Sequence, residues 1–124
     1  MKKMILLLFV LILIVGCSNA YDKEVKKISS IEVYNNITTG KYVIIDVREK
    51  DEYASGHIQN AINISLANLS NEILDIVINK NTNIVVYCRS GARSLQSAKN
   101  LVDLGYTNVY DMGGILDWTY ELVK

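Results

Sequence analysis

The clearest chemistry in the chain sits in seven residues, Cys88-Arg89-Ser90-Gly91-Ala92-Arg93-Ser94. The apolar stretch Ile84-Val85-Val86-Tyr87 leads into them and a helical pattern leads out. That order puts one thiol at the end of a strand, in a short loop, beneath a helix N-terminus. The first turn of a helix carries unpaired N–H groups and the positive end of the helix dipole, so it favours an anion. Arg89 and Arg93 add full positive charge. A cysteine in that field ionises more readily than a free one, and the thiolate is the form that attacks. The loop backbone would cradle an anionic sulfur or an oxyanion. Each piece alone has a plainer reading, Cys88 as an inert core thiol and the arginines as solvated charges. Their order favours a nucleophilic cysteine flanked by anion-binding arginines. Ser90 and Gly91 supply N–H groups and a permissive backbone. Ser94 either donates a hydrogen bond or caps the next helix.

The elements that must position this loop can be read from hydrophobic period and breakers. Ser29-Ser30-Ile31-Glu32 has capping-box spacing and predicts a helix to about Thr38. Tyr42 to Val47 reads as a buried parallel strand. Glu49 to Ser55 reads as a short helix with Gly56 as a left-handed stop, and Ala61 to Ile64 as a brief strand. Ser70 to Ile78 fits a helix with Ile73, Leu74, Val77 and Ile78 on one face. Asn83 to Tyr87 is the next strand. Ala92 to Leu104 is a helix with Leu95, Ala98, Leu101 and Val102 inward and Gly105 at its end. Asn108 to Tyr110 is a strand, and Ile115 to Val123 a terminal helix. Strands alternating with helices predict an α/β domain with a mainly parallel central sheet flanked by helices. Ligands bind such sheets outside the carboxyl ends of the strands, where Cys88 stands.

The N-terminus belongs to a different category. Lys2 and Lys3 precede an unbroken apolar run of twelve residues, Met4 to Val15, and Gly16-Cys17 follows. This is the pattern of a secretory signal, and the run falls short of the roughly 20 residues a spanning helix needs. Ile14-Val15-Gly16-Cys17 resembles a bacterial lipobox. The resemblance implies a signal peptide over 1–16, lipidation of Cys17 and a membrane-anchored lipoprotein on the periplasmic or extracellular face of the cell envelope. A plain cleavage site or a retained anchor are the alternatives. Residues 17–28 read as a polar tether and 29–124 as the domain. The whole chain has 13 basic and 13 acidic residues. Losing Lys2 and Lys3 leaves eleven basic residues against thirteen acidic, a net charge of −2. That excludes a nucleic-acid binder by charge. With Cys17 lipidated, Cys88 is the only thiol left, and no internal disulfide can form.

Other stretches complete a family pattern. Cys88-Arg89-Ser90-Gly91-Ala92-Arg93 resembles the six-residue active loop of rhodanese-like sulfurtransferases. Asp46-Val47-Arg48-Glu49, Glu52-Tyr53-Ala54-Ser55-Gly56-His57-Ile58 and Gly113-Gly114-Ile115-Leu116-Asp117-Trp118 match further family motifs in the expected order. The resemblance spans nearly all of residues 30 to 124 and is to the compact single-domain form. Tyrosine phosphatases use a loop one residue longer between cysteine and arginine, and the family resemblance supports a shorter cradle suited to a terminal sulfur. Where relatives carry Pro-Gly-Ala after Gly-His-Ile, this chain has Gln59-Asn60-Ala61, and it has no proline anywhere. That removes restraints from loops.

The resemblance implies a sulfurtransferase. Cys88 would take a sulfane sulfur from thiosulfate or a similar small anionic donor. A thiol or cyanide would then accept it, with no cofactor and with the chain acting as a monomer. A module that holds a persulfide or oxyanion without turnover is the alternative, and a phosphatase or arsenate reductase a third. Asp46 and Arg48 are expected to brace the active face by buried pairing and hydrogen bonds, with a direct substrate role for Arg48 as the alternative. His57, the single histidine, invites an acid–base role, but its place after a glycine turn favours a structural corner, as in the family. Trp118 and Tyr120 are expected to pack rather than to bind ligand. No histidine pair or cysteine cluster indicates a metal.

Overall fold

Side-chain alternation along one central strand organises the molecule. The structure, a computed structural model, describes residues 24–124. The signal peptide expected over 1–16, the lipidation site Cys17 and the tether up to residue 23 lie outside the described residues. In chain order the elements are β1 (Val25–Lys27), α1 (Ser30–Asn35), β2 (Val43–Asp46), α2 (Lys50–Ser55), β3 (Ile62–Asn63), α3 (Leu66–Ile76), β4 (Asn83–Cys88), α4 (Ala92–Asp103) and β5 (Asn108–Gly114). A 3₁₀ turn over Ile115–Asp117 follows. The strands form one sheet in the order β1-β5-β4-β2-β3, and every pairing is parallel.

Ile84, Val86 and Cys88 of β4 face one apolar cluster, with Leu69, Ile73, Ala98 and Leu101 from α3 and α4. Val85 and Tyr87 face the other, with Val33, Ile58 and Trp118. The period of two and the apolar character on both faces are what a doubly covered parallel strand requires. Four of the first five residues of β4's path, Ile84 to Tyr87, are fully buried, and Cys88 is 1 % exposed. The nucleophile candidate therefore sits at the end of the best-buried strand.

Several sequence expectations are corrected. The polar tether loses its last residues to the sheet. Val25 to Lys27 pair with Val109 to Asp111, and Val25 packs on the core. A three-residue strand of one apolar and two lysine residues gives little sequence signal, and the pairing comes from β5's open edge. Helix α1 ends at Asn35, not Thr38, because Asn36 closes it. Its Glu32 does not complete a capping box, since its carboxylate turns to Lys41 and Tyr42. Gly56 has φ 149° and ψ 134°, a glycine-only conformation outside the left-handed helical region. Helix α3 begins four residues earlier than expected, after Ser65, and stops at Ile76. Its buried stripe is Leu69 and Ile73, continued by Val77, while Leu74 is 44 % and Ile78 81 % exposed. On α4 the buried residues are Ser94, Ser97, Ala98 and Leu101. Leu95, expected inward, is half exposed, and the small side chains let the helix lie close to the sheet.

The terminal helix is absent beyond the short 3₁₀ turn. Trp118 instead packs among Tyr34 and Tyr120, and its indole N–H donates to the Glu121 carbonyl. Val123 then pairs antiparallel with His57. A continuous helix would lose both anchors.

Candidate active site

The loop between β4 and α4 is built by glycines and held from three sides. Gly91 is the residue before α4 and has φ 113°, a backbone that L side chains rarely adopt. This turn aims its N–H back at the strand end, where it donates to Cys88 Sγ at 3.0 Å. The Gly91 carbonyl accepts from Leu95 N–H at 3.1 Å and from the Ser94 hydroxyl at 3.0 Å. Ser94 is fully buried. Its two sequence readings resolve to hydrogen bonding, since Gly91 and not Ser94 precedes the helix.

The second side is the end of β5. Its ladder slips against β4, so that Val86 pairs with Asp111 but Tyr87 with Gly113 and Cys88 with Gly114. Such a bulge bends the strand locally. The Arg89 carbonyl accepts from Leu116 N–H at 3.2 Å. The backbone of Arg89 and Ser90 then lies directly on Gly114, whose missing side chain makes the room. This explains Gly114 by close approach, while Gly113 beside it has φ +89°, a backbone that favours glycine.

The third side is the buried Asp46–Arg48 pair. Asp46 is fully buried and Arg48 5 % exposed. Arg48 Nε donates to both carboxylate oxygens at 3.1 Å and Nη2 donates to Oδ2 at 2.7 Å. Nη2 also donates to the Gly56 carbonyl at 2.7 Å. Buried charges persist when geometry and extra hydrogen bonds satisfy them, as here. Tyr87, one residue before the cysteine, sits in this network. The Arg48 guanidinium lies 5.8 Å from its ring centre, and its hydroxyl accepts from Ile58 N–H at 3.1 Å. Burial, then the Asp46 charge, raises the Tyr87 phenol well above its usual range and keeps it neutral. Asp46 and Arg48 thus brace the strand end from behind, through Tyr87 and Gly56.

The two loop arginines differ. Arg89 is exposed and has no ion-pair partner among the described residues. Arg93 is paired bidentately with Glu52, Nη1 to Oε1 at 2.6 Å and Nη2 to Oε2 at 3.0 Å. The hydrogen bond from Arg93 is the main cause that brings the Glu52 carboxyl down to about 2. Glu52 is the site residue that sequence reading passed over. The signal was present, because Glu52 opens the Glu-Tyr-x-x-Gly-His-Ile stretch.

His57 is used structurally. Its ring stacks on Tyr53, centroids 3.6 Å apart, its Nδ1 lies 3.0 Å from the Tyr53 carbonyl oxygen, and its backbone pairs with Val123. Trp118 and Tyr120 are packing residues. Among the described residues no group of three or more His, Cys, Asp or Glu side chains could hold a metal ion.

A thiol under a helix start, one N–H aimed at its sulfur and a free arginine beside it form a nucleophile-and-anion site. The family pattern of the rhodanese-like domain matches residues 29–121. The chain belongs to the rhodanese-like family. It is 40% identical over 80 residues to the thiosulfate sulfurtransferase PspE of Escherichia coli, covering 64% of this chain and 77% of that protein. It is 36% identical over 96 residues to the thiosulfate sulfurtransferase GlpE of Coxiella burnetii, covering 75% and 86%. Among solved structures it resembles a rhodanese-related protein from Thermoplasma volcanium, with TM-score 0.68, 33% identity and coverage of 79% of this chain and 97% of that one. A rhodanese with anions from E. coli superposes with TM-score 0.64 and 38% identity, covering 67% and 98%. These relatives support a rhodanese-type sulfurtransferase activity for this chain.

Proposed function

We propose that the protein moves a sulfane sulfur from thiosulfate, or a donor of like charge and shape, to a thiophilic acceptor through a Cys88 persulfide. The Cys88 thiolate attacks the outer sulfur of the donor. The donor's S–S bond breaks and sulfite leaves with the bonding pair. The persulfide's terminal sulfur carries the negative charge into the loop. A thiol or cyanide then attacks that sulfur, and the Cys88 thiolate is the leaving group. Two half-reactions through a covalent intermediate imply ping-pong kinetics. The observation that carries this reading is the Gly91 N–H, 3.0 Å from Sγ, in a loop of six residues from Cys88 to Arg93. The N–H and the start of α4 favour negative charge on sulfur. Exposed Arg89 supplies the cation that attracts the donor and stabilises departing sulfite. The chemistry needs no cofactor.

The proposal extends to location. The Lys2-to-Cys17 pattern supports an exported chain lipidated at Cys17 and anchored to the bilayer of the cell envelope. One experiment reads both. The full chain is purified from membranes, its intact mass is recorded before and after thiosulfate, and thiosulfate-to-cyanide transfer is assayed beside Cys88→Ser. Diacylated mass at Cys17, a one-sulfur gain and Cys88-dependent thiocyanate are expected. A sulfur gain without turnover would replace the enzyme with a sulfur carrier. Activity on a phosphoaryl substrate alone would replace sulfur transfer altogether.

A further inference from the structure

The Glu52–Arg93 pair joins the catalytic loop to α2, and its geometry is tighter than a surface ion pair needs. The Glu52 carboxylate receives both terminal nitrogens of Arg93, and its Oε1 also accepts the Glu49 backbone N–H at 3.1 Å. The latter bond is half of a capping box at the start of α2 and fixes the direction of the carboxylate. Arg93 lies in the first turn of α4, within electrostatic reach of the Cys88 sulfur. The side chains of the pair are 33% and 26% exposed. Glu52 therefore settles where the Arg93 guanidinium points and how much net charge it shows to the loop.

We propose that Glu52 is a positioning residue that sets the dianion affinity of the site. By engaging both terminal nitrogens of Arg93 it cancels one of the loop's two cationic charges, and Arg89 is left to meet the donor. This inference rests on the sulfur-transfer reading and gives it a physical purpose. Thiosulfate and sulfite are both dianions. A loop with two unpaired arginines would grip donor and product alike, and binding that is uniform along a reaction does not speed its chemical step. Cancelling one charge keeps product release open.

The test measures binding apart from turnover. Thiosulfate and sulfite are titrated calorimetrically into the full chain carrying Cys88→Ser, with and without Glu52→Gln. Glutamine keeps an acceptor for Glu49 N–H and so preserves the cap. Glu52→Gln should tighten both dianions by about three- to tenfold, with the gain shrinking at high salt. In an Arg93→Ala background the same substitution should change nothing. Arg89→Ala should weaken dianion binding more than Arg93→Ala does, a comparison that holds even where Glu52→Gln fails to fold. Unchanged or weaker binding in folded Glu52→Gln, an equal gain without Arg93, or a larger loss from Arg93→Ala than from Arg89→Ala would each overturn the proposal. Failure of the sulfur-transfer reading would show separately, as absent turnover in the parent chain.

Discussion

Gly114→Ala tests whether close packing of β5 against the loop holds the nucleophile in place. Gly114 has φ −102° and ψ 141°, a conformation open to alanine, so backbone strain does not enter. Sterics do. A Cβ there would lie 2.8 Å from Ser90 Cα and 3.0 Å from the Arg89 carbonyl carbon, with the Arg89 carbonyl oxygen nearer still. Carbon atoms rest at about 3.5–4.0 Å, so the loop must retreat by roughly 0.5–1 Å. All three neighbours are backbone atoms of the catalytic loop, and no flexible side chain can absorb the push. Retreat stretches the Gly91 N–H···Sγ contact from its 3.0 Å and the Leu116 bond to the Arg89 carbonyl from its 3.2 Å. Overpacking of this kind costs about 1–3 kcal/mol. In a domain of this size each kcal/mol lowers Tm by about 4–8 °C. Misplacing reacting groups by about 1 Å costs on the order of a hundredfold in rate. The assay is single-turnover persulfide formation from thiosulfate, beside thermal unfolding. Gly105→Ala is the control. Gly105 has φ +98° with open space around it, so alanine there should destabilise without touching the rate. The reasoning is refuted if Gly114→Ala keeps the parental rate, or loses rate only as far as Gly105→Ala does.

Two further outcomes follow from the charges. Asp46→Asn strips the carboxylate from a buried guanidinium whose side chain is 7% exposed. Breaking a buried pair from one side costs about 3–5 kcal/mol. Urea unfolding should show the midpoint falling with an unchanged slope, and a loss under about 1 kcal/mol would contradict a structural brace. The Glu52 carboxyl, lowered from 4.5 to about 2 chiefly by Arg93, makes a stabilising contribution that depends on acid. The folded value lies below the unfolded one, so the contribution is full above about 4.5 and fades as pH falls toward about 2. Solvent screening limits it to the order of 1 kcal/mol. Parent and Glu52→Gln should differ in urea midpoint at about pH 7 and converge as pH falls through about 2, and a gap that widens in acid would reverse the assignment.

Much of the fold could be read from local pattern because its central strands are buried on both faces. Tyr42 to Val47 and Asn83 to Tyr87 are β-branched and apolar over several residues, and the structure places strands there. What could not be read depended on distant partners. Val25 to Lys27 becomes a strand only because β5 offers an edge. Residues 118–123 abandon a helical pattern because Trp118 and Val123 find partners at Tyr34 and His57. At the missing Pro-Gly, Asn60 takes φ 67°, which asparagine tolerates better than most residues. Its side-chain amide donates to the Ile37 carbonyl at 2.9 Å. The chain thus replaces a restraint on φ with a tertiary hydrogen bond, a compensation that no local reading of Gln59-Asn60-Ala61 could supply.

The site divides along the same line. Cys88, Gly91 and Ser94 are contiguous, and their roles follow from a strand running into a helix through one left-handed glycine. Asp46 and Arg48 are two residues apart and read as a pair. Arg89 and Arg93 look equivalent in the sequence, both flanking the thiol. What separates them is Glu52, 41 residues before Arg93, on a different helix. Spacing within a motif reports charge that is present. Only the fold reports which charge is already spent on another residue. On the role proposed for Glu52, the anion-binding strength of this loop is a tertiary property, set from α2, even though both arginines lie in one short segment.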